Sequence, residues 1–268
     1  MPRTSLQRKR KAHDSQAGTP VPPNRYFKLT VTYDGTQYAG WQLQPNGKTV
    51  QEVIELALAK IDGREVRVHG SGRTDAGAHA RGQVANCTLL TQLKAATLLR
   101  ALNANLPEDV RVVRAQETDA KFHARFSAKG KEYRYQIDCG AVAEPFLRLY
   151  AWHHPRPLNV AAMRQAARVL KGRHDFSALS ANPMRPVETT VRTIEKLSVT
   201  TEGDIFTVAV VADGFLYKMV RSIVGALVKV GEGRLTAEEL QGLVKAKKRT
   251  ALVETAPAHG LFLWRVFY

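Results

Sequence analysis

Apolar and polar residues alternate from Phe27 to Tyr33, with Phe27, Leu29, Val31 and Tyr33 on one side, as a half-buried strand requires. Asp34-Gly35 then turns the chain. Thr49-x-x-Glu52 is a capping box, and behind it Val50, Val53, Ile54, Ala57, Leu58 and Ile61 fall on one face of a helix reaching Asp62. Val66 to His69 and Gln83 to Thr88 alternate again as strands. A second helix is predicted from about Thr91 to Leu102, ended by Asn103-Ala104-Asn105-Leu106-Pro107, and Asp109 to Ala115 reads as a further strand. Strand, helix, strand, strand, helix, strand is the ferredoxin-like split βαβ order.

The remaining pattern has the same texture. Glu132 to Ile137 is a strand, and Asn159 to Leu170 a helix closed by Gly172, with Met163, Ala166, Ala167 and Leu170 inward. His174 to Ser177 reads as a loop, and Asn182-Pro183-Met184-Arg185-Pro186 as irregular chain. Val191 to Val199 and Ile205 to Val211 are strands turned by Glu202-Gly203-Asp204. A helix is predicted from about Phe215 to Val230, with Leu216, Met219, Ile223, Leu227 and Val230 on its buried side and Tyr217, Arg221 and Gly225 on another. Thr236-x-x-Glu239 caps a short helix, and Leu261 to Phe267 is the last strand. The expected fold is α/β (α+β): two ferredoxin-like, RRM-like halves in one extended, mainly antiparallel sheet with helices packed on it. Residues 25–118 make the first half and residues 119–268 the second. Residues 1–24, with five basic residues against Asp14 and almost nothing apolar, are expected to be a disordered basic tail.

Charge narrows the choice of partners. Forty Lys and Arg against 24 Asp and Glu leave a net +16, and the +4 carried by residues 1–24 still leaves about +12 on the body. That excess predicts a polyanionic partner, and nucleic acid fits better than a membrane surface because no basic amphipathic stretch or long apolar run is present. Cys87 and Cys139 lack the spacing of a zinc site or a disulfide framework, so neither a metal nor a cofactor is expected, and each is read as a small buried apolar residue. A reducing compartment and the missing apolar core of a signal peptide point to the cytoplasm.

The candidate chemistry lies in Ser71-Gly72-Arg73-Thr74-Asp75-Ala76-Gly77-Ala78-His79-Ala80, a polar turn between two strands, where Gly72 and Gly77 permit positive φ and close approach to a ligand. By itself the turn could equally be an Arg–Asp pair pinning a hairpin. Tyr38-Ala39-Gly40-Trp41-Gln42 could be a packed loop cover or a stacking surface. Lys121-Phe122-His123-Ala124-Arg125-Phe126-Ser127 and the strand holding Tyr133 and Arg134 interleave basic and aromatic residues more densely than any other segment, the texture of a surface that neutralises phosphate and stacks on bases.

These words also resemble a family. Gly72-Arg73-Thr74-Asp75-Ala76-Gly77-x-His79-Ala80 is similar to the active-site signature of the bacterial tRNA pseudouridine synthase A family. Tyr33-Asp34-Gly35-x-x-Tyr38-x-Gly40-Trp41-Gln42, Asn103 to Pro107, Phe122 to Ala128, His174 to Ser177 and Met219-Val220-Arg221 stand in that family's order, so the resemblance spans residues 26 to 268. It departs mildly at Ala78, at Tyr217-Lys218 and in the N-terminal extension. The resemblance implies an isomerase, a tRNA pseudouridine synthase acting on uridines 38, 39 and 40 of the anticodon arm, working as a homodimer without metal or cofactor. It implies Asp75 as nucleophile, Arg221 as its partner and Tyr133 against the target uracil, where the ring could stack and the hydroxyl could accept a proton. Arg73, His79, Phe122, His123 and Arg125 are expected to help bind the RNA.

The chemistry is compatible with the residues. Converting uridine to pseudouridine needs no redox step or phosphate energy, and no Walker loop or dinucleotide fingerprint is present. Rival readings are a non-catalytic RNA-binding module of ferredoxin-like fold, which leaves Asp75 between two glycines unexplained, and a glycosidase, which needs a second carboxylate that does not stand out.

Overall fold

The computed structural model describes residues 23–181 and 187–268. Residues 1–22 of the expected tail 1–24, and the segment 182–186 read as irregular, lie outside the described residues. The elements, in order, are β1 (Arg25–Tyr33), α1 (Val50–Asp62), β2 (Val68–Gly70), β3 (His79–Leu89), α2 (Ala95–Asn105), β4 (Val110–Thr118), β5 (Gly130–Asp138), β6 (Trp152–His153), α3 (Val160–Val169), β7 (Gly172–Asp175), β8 (Val191–Glu202), β9 (Ile205–Ala212), α4 (Met219–Gly231), α5 (Ala237–Ala246) and β10 (Leu261–Phe267).

Local rules account for most of these. Thr49 and Glu52 form the reciprocal capping box that starts α1, Gly63 in the left-handed region ends it, and Thr236 with Glu239 repeats the box at α5. Along β1 the odd-numbered residues from Phe27 to Tyr33 are buried and the even ones half-exposed, as period two demands. Fully burying each such apolar side chain contributes roughly 1.5–3 kcal/mol.

The strands form one sheet in the order β4-β1-β3-β10-β5-β9-β8-β7, with β2 on β3 and β6 on β5. The array β4-β1-β3-β2 recurs as β10-β5-β9-β8, so two ferredoxin-like halves share one mainly antiparallel sheet. They meet where β10 runs parallel to β3 over Phe262–His79 and Leu263–Ala80. Among the described residues no helix is long and apolar enough to cross a membrane.

Four boundaries differ from the pattern. Gly172, at φ +96, opens strand β7 and does not cap α3, and the supposed loop at His174-Asp175 pairs with β8. Helix α4 begins at Met219, because Lys218 sits at φ 56. Helix α2 begins at Ala95, since the Asp62 carboxylate accepts the backbone N–H groups of Leu90 and Thr91 and holds that stretch extended. Strand β3 starts at His79, inside the motif. Cys87 is buried with its thiol pushed up to about 12 by burial, whereas Cys139 is only half-buried.

Candidate active site

The loop 71–78 between β2 and β3 is held from two sides. From its own half, Ser71 donates to Gln83 Oε1 at 2.7 Å, and Gln83 donates to the Gly72 carbonyl at 2.8 Å. From the segment after β1, the Trp41 N–H donates to the Thr74 carbonyl (3.2 Å), the Gly77 N–H to the Tyr38 carbonyl (3.3 Å), and Tyr33 and Thr74 share a hydroxyl bond of 2.8 Å. Tyr38 and Trp41 are buried, so this segment is a packed cover and not a stacking surface. Gly40 takes φ +97, and a Cβ there would sit 2.6 Å from the Thr74 carbonyl oxygen, so only glycine lets the cover approach the loop so closely. Of the two glycines expected to use positive φ, Gly77 does so (+76) and Gly72 does not.

Asp75 leaves this rigid loop and meets Arg221 from the other half of the sheet, Nη1 donating to Oδ2 at 2.6 Å. Both side chains retain some exposure, 21% for Asp75 and 13% for Arg221. Arg221 lies in the first turn of α4 and is itself fixed: Nε donates to the Ala256 carbonyl at 2.7 Å, and its own carbonyl accepts the Ala256 N–H at 3.1 Å. Segment 254–256 can lie against the helix because Gly225 has no Cβ to strike the Glu254 carbonyl. The guanidinium binds only one carboxylate oxygen, and no described residue bonds Oδ1.

Tyr133 projects from β5 on the side facing α4, is 7% exposed and meets Phe215 edge-on at 4.9 Å. Burial, with Tyr33 and the Asp75 charge nearby, pushes its phenol well above the ordinary tyrosine value. The hydroxyl therefore holds its proton at neutral pH.

A rigid loop, an ionised partner drawn from the opposite half and a buried phenol form a site built across two ferredoxin-like arrays. The family model for tRNA pseudouridine synthase matches residues 29–127 and 166–268. The chain belongs to that family. It is 42% identical over 246 residues to tRNA pseudouridine synthase A of Geobacillus sp. (strain WCH70), covering 91% of this chain and 99% of the relative. It is 44% identical over 244 residues to the synthase of the same name from Thermoanaerobacter sp. (strain X514), covering 91% and 100%. The Halalkalibacterium halodurans protein of that name is 46% identical over 238 residues, covering 88% and 90%.

The other residues expected at the RNA surface of this tRNA pseudouridine synthase family member separate in space. Arg73, on the loop itself, is exposed, its Nε donating to Gln42 Oε1 at 3.2 Å. Arg125 and Phe126 are exposed, Phe126 at 77%. His123 is half-buried, with its ring 5.4 Å from His69 and 4.4 Å from Phe126. Phe122 packs against Tyr268 at 5.1 Å, with Lys28 over both rings.

His79 does not reach the surface at all. It is 1% exposed and stacks on Phe262 at 4.8 Å. Its Nδ1 accepts the Gly35 N–H at 3.0 Å, while Nε2 lies 2.9 Å from the Leu149 carbonyl and 3.0 Å from the His259 carbonyl. Those partners assign the proton to Nε2, and burial lowers the ring's pKa, so the imidazole is neutral and the Asp34 carboxylate 3.1 Å from Nδ1 is not its ion-pair partner at neutral pH. The expected binding role for His79 is replaced by a structural one.

Sequence reasoning missed Lys131. It shares the Tyr133 side of β5, lies over Gly72 with Cε 3.4 Å from where a Cβ would be, and has its pKa lowered by burial and by Arg125 and Arg192. The signal was available: two residues before Tyr133 in a strand is the same face.

Proposed function

We propose that this chain isomerises uridine to pseudouridine in tRNA, with Asp75 as the nucleophile. Asp75 Oδ1 bonds to the nucleoside at C1′ or C6, and that bond breaks again before product leaves. The C1′–N1 bond breaks, the base turns and a C1′–C5 bond forms, C5 losing a proton and N1 gaining one, so atoms and electrons balance without a co-reactant. The observation that carries this reading is the Asp75–Arg221 pair, which leaves Oδ1 unengaged for attack while Arg221 holds Oδ2. Tyr133 packs against the extruded base; base–aromatic stacking worth roughly 1–3 kcal/mol offsets part of the few kcal/mol of unstacking. Its protonated hydroxyl donates to the base. Arg73, Arg125 and Lys131 meet phosphates around the opening.

The family resemblance and the basic surface support a finer reading: uridines 38, 39 and 40 of the anticodon arm as targets, a homodimer as the working unit, and residues 25–118 and 119–268 as the two halves that close on the RNA in the cytoplasm. The test incubates the protein with unmodified tRNA. An isomerase leaves the RNA mass unchanged and creates pseudouridine that chemical mapping locates; a glycosidase releases a base, and a binding module does neither. Light scattering under the same conditions reports the oligomer.

A further inference from the structure

The sheet carries a second basic surface, on the side away from the Asp75 loop. A groove of about 370 Å³ is lined by residues of β1, β3, β4 and β10 together with Tyr268. Four of its residues are cationic, Lys28, Arg81, Arg114 and Arg265, and none is acidic. Its place in the fold follows from strand alternation. Lys28 and Thr30 alternate with the core residues Phe27, Leu29 and Val31, so they face away from the core. Trp264 in the groove lies under the Arg134 guanidinium, 4.0 Å away, and Arg134 points opposite to its neighbour Tyr133. Groove and active site therefore occupy opposite faces of one sheet.

None of the four cations takes part in an ion pair with a described acid. Burial, and secondarily the neighbouring Arg114 charge, lower the pKa of Lys28. Aromatic faces accompany the charges: Lys28 Nζ lies 3.8 Å from the Tyr268 ring centroid, and Arg81 lies 5.9 Å from that of Trp264. Such a set suits a phosphodiester chain, with phosphates on the cations and bases or riboses on the rings. A second copy of this chain seated groove to groove is a poor occupant, because that contact would bring the same four cations against themselves.

We infer that this groove is a second RNA-backbone site, gripping tRNA at a place outside the stem-loop that enters the active site. The inference rests on tRNA being the substrate. Phe122 borders the same groove, since Lys28 reaches over its ring as well as that of Tyr268. The outcome of mutation is therefore specific: groove cations set affinity and its salt dependence, and leave the chemistry alone.

The test is the double variant Lys28→Gln/Arg114→Gln, with Lys28→Arg/Arg114→Lys as the charge-keeping control. Filter binding of full-length unmodified tRNA and of an isolated anticodon stem-loop is measured across a salt series. For full tRNA the log–log salt slope should become shallower by about 1–2, each lost phosphate contact removing about 0.9, with a weaker Kd. The control variant should keep the wild-type slope. Stem-loop affinity and the rate of pseudouridine formation at saturating tRNA should stay at wild-type values. An unchanged slope and Kd for full tRNA overturns the inference. So does a variant whose oligomeric state falls apart in light scattering at unchanged slope, which would make the groove an interface between copies. If the wild-type protein forms no pseudouridine in tRNA, the functional reading fails on its own, and the binding series still reports whether the groove holds RNA.

Discussion

Asp75→Asn separates a nucleophile from a loop pin. The substitution is nearly isosteric and leaves an oxygen for the Arg221 Nη1–H that now bonds Oδ2 at 2.6 Å. A hydrogen bond to a charged partner contributes roughly 1.5–3 kcal/mol and a neutral one about 1. Arg221 remains charged and keeps its bond to the Ala256 carbonyl, so the loss should be about 0.5–2 kcal/mol. For a chain of this size each kcal/mol moves Tm by about 2–4 °C, so the melting temperature should fall by no more than about 8 °C. Activity should behave differently. No other acid stands between residues 71 and 78, so nothing can take over the attack. Loss of a covalent nucleophile elsewhere costs up to about 10⁶ in kcat. Asp75→Glu should be nearly as inactive, because an added methylene displaces the carboxylate by more than the ~1 Å that already costs about 10². The assay is pseudouridine formation on a stoichiometric amount of tRNA, with circular dichroism melting and filter binding as controls. If the pair only pins the turn, the asparagine variant stays active. A folded, tRNA-binding Asp75→Asn protein working at more than about a hundredth of the wild-type rate would refute the nucleophile assignment.

Three further outcomes are expected. Tyr133→Phe keeps the packing against Phe215 and loses the donor, so melting should be little changed while turnover falls about 10²–10⁴-fold, the range of an acid–base group; wild-type turnover would leave only stacking to that ring. Gly40→Ala forces a Cβ at φ +97 to within 2.6 Å of the Thr74 carbonyl, which should cost about 2–5 kcal/mol in strain and overpacking, and a thermal melt matching the wild type would show that the cover can yield. His79 has a folded pKa below its ordinary 6.5, so its stabilising contribution is complete above that value and is lost as pH falls beneath it. His123 and His154 are lowered as well and act in the same direction, and Asp34, also lowered, adds to the loss only at still lower pH. Urea midpoints should therefore drop between pH 7 and 5, and less steeply in His79→Asn; equal slopes would clear His79.

Much of this was legible because it is written in local chemistry. The two capping boxes, the alternation of β1 and the split βαβ order each follow from spacing within a few residues, and the Asp75 turn announces itself by composition. What stayed hidden depends on partners distant in sequence. His79 looks like a surface residue of a polar motif, yet β10 pairs beside it and supplies Phe262 as its stacking partner. His174-Asp175 carries loop composition and becomes a strand only because β8 offers an edge. The start of α4 is set by Lys218 in the left-handed region, which no periodicity reveals. The pairing of Asp75 with Arg221, 146 positions apart, was available only through family likeness.

Contacts distant in sequence also fix the Asp75–Arg221 pair at the junction of the two halves. β10 pairs in parallel register with β3 over Phe262–His79 and Leu263–Ala80, and Gly82 further along β3 lies against the Trp264 carbonyl. His79 adds side-chain bonds across the same junction. It follows Asp75 by four residues, accepts the Gly35 N–H from its own half, and donates toward the Leu149 and His259 carbonyls of the other. Two acceptors on one ring nitrogen and a donor on the other demand the neutral Nε2–H tautomer, because a second proton on Nδ1 would expel the Gly35 N–H. Tyr150 braces the same point, donating to Asp34 Oδ2 at 2.7 Å across the junction. On the far side Arg221 is anchored to the Ala256 carbonyl, close along the chain to His259 and β10. Segment 256–263 thus contacts Arg221 at one end and His79 at the other, so both members of the Asp75–Arg221 pair are referenced to one short stretch of chain. A carboxylate on the first half and a guanidinium on the second then keep hydrogen-bond distance because the β3–β10 junction and this one segment position both.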